Sequence, residues 1–185
     1  MTNNFLPENY SLPAQSGGYL KLKQGDNNIR ILSSAIIGYE YWTQDNKPVR
    51  SKEQPKETPN AKQDKDGRVS IKHFWAFIVA DLDESNEIKI MEVTQATIQG
   101  AIMSLVNNQK WGDPKGYDLT INRSGEDLST KYSVIPSPHS ELSKDVEKEY
   151  KETDIKLEEL YTGGNPFGEK KGESNEVSTD DIPFD

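Results

Sequence analysis

The sequence predicts a mainly β fold: a small barrel interrupted by one helix, then a C-terminal helical segment and a disordered acidic tail. Three observations carry that expectation. Short runs alternate apolar and polar residues with period two and are separated by Gly, Asn, Asp and Pro clusters, which is strand and turn patterning. One stretch near the middle switches to a helical period. Charge is also unevenly spread: residues 1–139 carry 16 Lys+Arg against 17 Asp+Glu, whereas residues 140–185 carry 6 against 14. The acidic pI of about 4.8 therefore describes the end of the chain and leaves the body nearly neutral.

In chain order, residues 1–17 hold Pro7, Pro13 and several Asn and read as an irregular arm. Gly18 to Lys23 alternates apolar and basic residues and predicts a strand; Gly25-Asp26-Asn27-Asn28 predicts a turn. Ile29 to Leu32 and Ile36 to Thr43 predict two more strands. Residues 44–70, with Pro48, Pro55 and Pro59 and many polar residues, predict a mobile functional loop. The window from Lys47 to Lys72 carries 8 Lys+Arg against 4 Asp+Glu, the most basic stretch of the chain. Ile71 to Leu82 is the strongest strand signal, turned by Asp83 to Asn86 into a strand over Glu87 to Val93. Thr94 is placed as the N-cap of a helix whose Ile98, Ile102, Leu105 and Val106 share one face. Tyr117 to Arg123 and Thr130 to Ile135 predict the last strands, stopped by Pro136 and Pro138. Residues 140–162 predict a charged helix with a thin apolar stripe, and 163–185 have linker composition.

Composition excludes several classes. The chain has 185 residues, enough for one domain, and no Cys, so neither a disulfide framework nor a thiolate zinc site is available. His73 and His139 lie too far apart for zinc-ligand spacing. The N-terminus has no signal-peptide pattern and no run reaches the apolar length of a membrane span; a soluble, cytoplasmic protein is expected. No cofactor is expected. The acids Asp81, Asp83, Glu84, Glu87 and Glu92 are the candidates for a metal-dependent nuclease, but they cluster around a turn with no general base, phosphate loop or nucleophile, so a non-enzyme is expected. A protein–protein adaptor built on a small barrel is the other alternative.

The element order, with strands on either side of one helix, is that of an OB-fold, a common platform for single-stranded nucleic acid. Such binding needs cations along the phosphates and rings for the bases to stack on. Tyr41 and Trp42 lie at one hinge of the basic loop with Lys47, Arg50, Lys52 and Lys56, and Phe74 and Trp75 lie at the other hinge beside Lys72. Arg30, Arg123 and Lys131 on neighbouring strands are further candidates to line the groove, and Trp111 is a further candidate ring. Alternation puts the two members of each aromatic pair on opposite faces; Trp42 and Phe74 are expected outward.

Several segments then resemble one family. Lys72-His73-Phe74-Trp75-Ala76-Phe77, Glu92-Val93-Thr94-Gln95, Trp111-Gly112-Asp113-Pro114 with Tyr117-Asp118, and Thr130-Lys131-Tyr132-Ser133 before Pro136-Ser137-Pro138 resemble phage-encoded single-stranded DNA-binding proteins of the helix-destabilising type. The resemblance spans residues 18–139. It implies sequence-tolerant binding to single-stranded DNA during replication, recombination and repair. The last residues, Asp180-Asp181-Ile182-Pro183-Phe184, resemble the partner-recruiting tip of bacterial single-stranded DNA-binding proteins, with Asp185 added after the Phe. The resemblance implies that replication, recombination or repair enzymes grip this tip. Self-association is left open.

Overall fold

The computed structural model describes residues 18–168; the arm at 1–17 and the tail at 169–185, with Asp180 to Phe184, lie outside the described residues. Seven strands form one sheet, β1 (Gly25–Ile31), β2 (Ile36–Trp42), β3 (Pro48–Ser51), β4 (Lys72–Asp81), β5 (Glu87–Val93), β6 (Tyr117–Ser124) and β7 (Lys131–His139), with helix α1 (Ala96–Val106) between β5 and β6. β1 and β2 act as one long bent strand. Both pair antiparallel with β4, in the register Ile29 to Asp81 and then Ile36 to Ala76. At the bend Leu32 N–H donates to the Ile78 carbonyl (2.9 Å) and Ile78 N–H donates to Ser33 Oγ (2.8 Å), so the backbone groups of Ile78 stay paired there. β5 takes the other edge of β4, β6 the other edge of β1, and β7 pairs with β6. This is an OB-like barrel with its helix before the last hairpin.

Several expected boundaries shift for local reasons. The Gly25–Asn28 cluster is the start of β1 rather than a turn. Asn27 is buried and its amide donates to the Lys23 and Ile121 carbonyls (2.9 and 3.1 Å), so the side chain closes the bend while the backbone stays in the sheet. Tyr19 forms a single parallel bridge to Ile90 in place of a full strand at 18–23. α1 is capped at Gln95, one residue after Thr94. β7 runs through Pro136 and Pro138 to His139 because it pairs only with β6, and an outer edge needs no N–H donor.

Two cores form on the two faces of β4. Trp75, Phe77 and Val79 point into the barrel with Ile29, Ile31, Met91, Val93, Ile98, Ile102, Tyr117, Leu119 and Ile121. The alternate residues Phe74, Ala76, Ile78 and Ala80 point outward, yet they too are buried. Their cover is the C-terminal segment, which is not one helix. It consists of α2 (Lys144–Glu152), extended chain, and α3 (Glu159–Thr162). Val146, Leu157 and Leu160 of this strap seal the outer face of β4 and Ile90. Ser143 Oγ caps α2 by accepting from Val146 N–H (3.3 Å). The strap continues past 163, as far as Phe167, whose ring meets Tyr19 edge-on (5.3 Å) in the space a side chain on Gly18 would fill.

The strap overturns three sequence expectations. Phe74 is fully buried, because the face it shares with Lys72 is covered. Arg30 is only 3 % exposed; its guanidinium holds Asp118 (2.5 Å), the Ser140 hydroxyl (2.6 Å) and the Ser140 carbonyl (3.2 Å), fastening the strap where it leaves β7. Arg50 is buried between Glu40 (3.1 Å) and Glu92 (2.7 Å), with its guanidinium over the Phe74 ring (5.6 Å). Both guanidiniums are taken up by these contacts.

These placements set stability. Phe74→Ala, which empties a fully buried site, is expected to cost about 3–5 kcal/mol. Arg50→Met strands the buried Glu40 carboxylate and the half-buried Glu92 carboxylate and is expected to cost about 3–5 kcal/mol as well. Alanine at the exposed Lys56 should change stability by less than about 0.5 kcal/mol. Urea unfolding followed by circular dichroism reads all three. An unchanged midpoint for Phe74→Ala would place that ring on the wrong face.

Candidate nucleic-acid interface

The β2–β3 hairpin and the chain that returns from it to β4 form a projecting unit. Residues 44–70, expected as a loop, are folded on themselves. Thr43 N–H donates to the Lys47 carbonyl (2.9 Å), closing a turn in which Asn46 has φ +57°. Thr43 then bridges to Ala61, and Lys62 N–H donates to the Trp42 carbonyl (2.7 Å), so the returning chain runs along the end of β2. A small hairpin follows, with a bridge from Gln63 to Val69. Its turn is Asp64-Lys65-Asp66-Gly67: Asp64 Oδ1 accepts from Asp66 N–H (2.8 Å) and Arg68 N–H (2.9 Å), and Gly67 takes φ +76°, which a side chain would resist.

Between this small hairpin and the tip of β2 lies a cleft of about 380 Å³ lined by Trp42, Asn46, Lys62, Gln63, Asp64, Arg68, Ser70 and Lys72. Trp42 is 44 % exposed. Its position is fixed by register: it pairs with Pro48 across the hairpin and lies on the same face as Glu40, which pairs with Lys72. That face is covered by the strap lower down, at Gly38 and Phe74, and opens at Trp42. Three cations, Lys62, Arg68 and Lys72, surround the indole, and the one carboxylate, Asp64, already accepts from two backbone N–H groups. Lys62 Nζ reaches Asn46 Oδ1 (3.3 Å), which holds it over the turn. The arrangement offers an exposed flat ring among cations that pair with no acid among the described residues, which is the combination needed to stack a base beside a phosphate.

Of the residues singled out in the sequence, Trp42 and Lys72 come together here. Lys47 and Lys56 are exposed on the same projecting unit. Lys52 is exposed too, but is drawn toward the strap by Glu158 (3.1 Å) and the Tyr161 ring (5.1 Å). Tyr41 is buried beneath residues 58–61, its hydroxyl donating to the Pro59 carbonyl (3.4 Å). Trp75 is half-buried against the barrel core. Trp111 stacks on His139 (5.8 Å, 16°) and meets Tyr117 edge-on, which makes it a plug over the barrel end. Arg123 donates to the Leu22 carbonyl (3.0 Å), and Lys131 is exposed at the start of β7; neither lines the cleft. Lys62 and Arg68 do not stand out in the sequence, although the Asp66-Gly67 pair between them is a hairpin-turn signal that places them on facing arms.

The acids considered for a metal site are dispersed into other contacts. Asp81 and Glu87 pair with Lys89 (2.8 and 3.4 Å), Glu84 with Lys23, Glu92 with Arg50, and Asp83 accepts from Asn28 N–H (2.8 Å). Burial pushes the Glu92 carboxyl above the usual carboxylate range; Arg50 opposes that push and Glu40 adds to it. Among the described residues no group of three or more His, Asp or Glu is arranged to hold a metal ion, and no helix is long and apolar enough to cross a membrane.

No family model and no solved structure matches this chain. A search of characterised proteins finds similarity to a "Probable ssDNA-binding protein" of Escherichia phage T5, 29 % identical over 138 residues that cover 63 % of this chain and 53 % of the relative. The chain thus spans about half the length of that relative, and what it resembles is a phage single-stranded DNA-binding protein.

Proposed function

We propose that this chain binds single-stranded DNA without strong sequence preference, with Trp42 as a stacking platform and Lys62, Arg68 and Lys72 as phosphate contacts. The observation that carries the reading is the exposed indole of Trp42 set among three cations in a cleft wide enough for a base. The phage relative's name supports the same ligand. Stacking on the indole is open to every base and so carries little sequence preference. In this reading the protein acts without catalysis in the host cytoplasm. It coats and protects single strands during replication, recombination and repair, and its tip Asp180 to Phe184 recruits the enzymes of those processes.

Trp42→Ala is expected to weaken binding to oligo(dT) by about 1–3 kcal/mol with its salt dependence unchanged. Lys62→Ala with Arg68→Ala is expected to flatten the plot of log affinity against log salt by about one unit for each phosphate that is no longer neutralised. Fluorescence anisotropy of labelled oligo(dT) at several salt concentrations reads both, and equal affinity for duplex and single strand at physiological salt overturns the reading.

For the tip, Phe184→Ala removes the apolar hook and keeps every charge. It is expected to abolish capture of host enzymes that bind the bacterial tip, and to leave oligo(dT) binding as it was. Calorimetry with one such purified enzyme decides; unchanged affinity would reduce Asp180 to Asp185 to a solubilising end.

A further inference from the structure

The cleft at Trp42 is closed on three sides. Toward the β2–β3 turn its walls meet: Asn46 and Lys62, which both line it, are bonded to each other (3.3 Å). The same two arms are tied again where Gln44 N–H donates to the Asn60 carbonyl (2.9 Å) and the Asn60 amide donates to Asp45 Oδ2 (3.0 Å). The second side is the small hairpin, bridged from Gln63 to Val69 and held by Asp64 at its turn. The third is the strap, which buries Phe74, the next residue after Lys72 on that face of β4. A strand running lengthwise along this face would have to part Asn46 from Lys62 and lift the strap. The enclosed space is about 380 Å³, at the lower end of the range for ligand-sized pockets. It suits a single nucleotide better than a run of them.

The charge in this space exceeds what the interior of a strand brings. Three cations, Lys62, Arg68 and Lys72, line it against one acid, Asp64, whose Oδ1 already accepts from Asp66 N–H and Arg68 N–H. Of the neighbouring acids, Asp45 holds the Asn60 amide and Asp66 stands at the hairpin turn, outside the lining. A phosphodiester inside a strand carries one negative charge, whereas a phosphomonoester carries about 1.5 to 2 at pH 7. Three cations in a nucleotide-sized, three-sided space match the phosphomonoester.

We propose that the Trp42 cleft encloses the phosphorylated end of a strand. The last base stacks on the indole, and its terminal phosphomonoester lies among Lys62, Arg68 and Lys72. This rests on the single-strand reading above and narrows it: interior bases reach the indole from the open side, while only an end can enter between the closed walls.

Oligo(dT) strands with a 5′-phosphate, a 3′-phosphate or neither are labelled at the opposite end and titrated by fluorescence anisotropy. A strand phosphorylated at one of its ends is expected to bind several-fold tighter than the unphosphorylated strand, with the gap narrowing as salt rises; the two phosphorylated strands show which end is read. Lys62→Ala with Arg68→Ala is expected to bring that ratio close to one. Asn46→Gly keeps a residue suited to φ +57° and removes the tie to Lys62; it is expected to lower the ratio as well. Each ratio is taken within one variant, so a general loss of affinity does not imitate the result. Equal binding of all three strands overturns the proposal and leaves the single-strand reading standing, and an unchanged ratio in the double variant overturns the assignment to this cleft. Free dTMP that displaces the phosphorylated strand at concentrations near that strand's own Kd gives the site to nucleotides and overturns the strand-end form. Absence of binding by every strand overturns the single-strand reading and this proposal together.

Discussion

The structure depends on the burial of β4 on both of its faces. It is hydrogen-bonded along both edges, to β1 and β2 on one side and β5 on the other, and from Phe74 to Ala80 its side chains enter an apolar core whichever way they point. Such a strand reads as a continuous apolar run, and its outward residues need a cover that the barrel does not supply. The C-terminal strap is that cover. Arg30 fastens its start, Tyr161 ties it to the Ile37 carbonyl, and Phe167 closes its end against Tyr19. Arg50 joins the β3 edge to the same layer by pairing with Glu40 and Glu92 together.

Covering β4 and β5 also decides where a ligand can go. OB-folds commonly bind oligonucleotides on the outer face of their second and third strands and on the loops that flank it. Here that face is occupied by Val146, Leu157 and Leu160. The open surface with an exposed ring and cations lies further along the same face, at the projecting hairpin, where Trp42 stands clear of the strap. A face filled by the chain's own residues and a cleft beside it are thus two results of one packing arrangement.

How far the sequence can be read follows from the same facts. β4, β5 and β6 are legible because their alternation is strong and their turns are marked, and α1 is legible from Ile98 and Ile102. Alternation correctly separates Phe74 from Trp75 but does not say that both faces of β4 are buried, so the outward face reads as the open one. The strap is misread because Leu157 and Leu160 follow Val146 by 11 and 14 residues, which keeps the helical period. The sequence reads as one striped helix, and the extended stretch between α2 and α3 that lays these residues on β4 leaves no break in that pattern. Arg30 and Arg50 look the same in sequence whether they face phosphates or buried carboxylates. The cleft is half legible: Trp42 and Lys72 stand out, while Lys62 and Arg68 need the turn at Asp66-Gly67 to be read as a hairpin.

The meeting of Phe167 with Gly18 and Tyr19 brings the two ends of the described chain to one corner of the molecule. It also fixes an order of events during biosynthesis. Every strand of the barrel is made before the residues that cover β4. Until Leu157, Leu160 and Phe167 emerge, the nascent barrel carries an open apolar face on its central strand, the kind of surface that chaperones hold and that aggregates when unprotected. A chain stopped before Leu157 is therefore a barrel with that face uncovered, and not merely a shorter form of the protein.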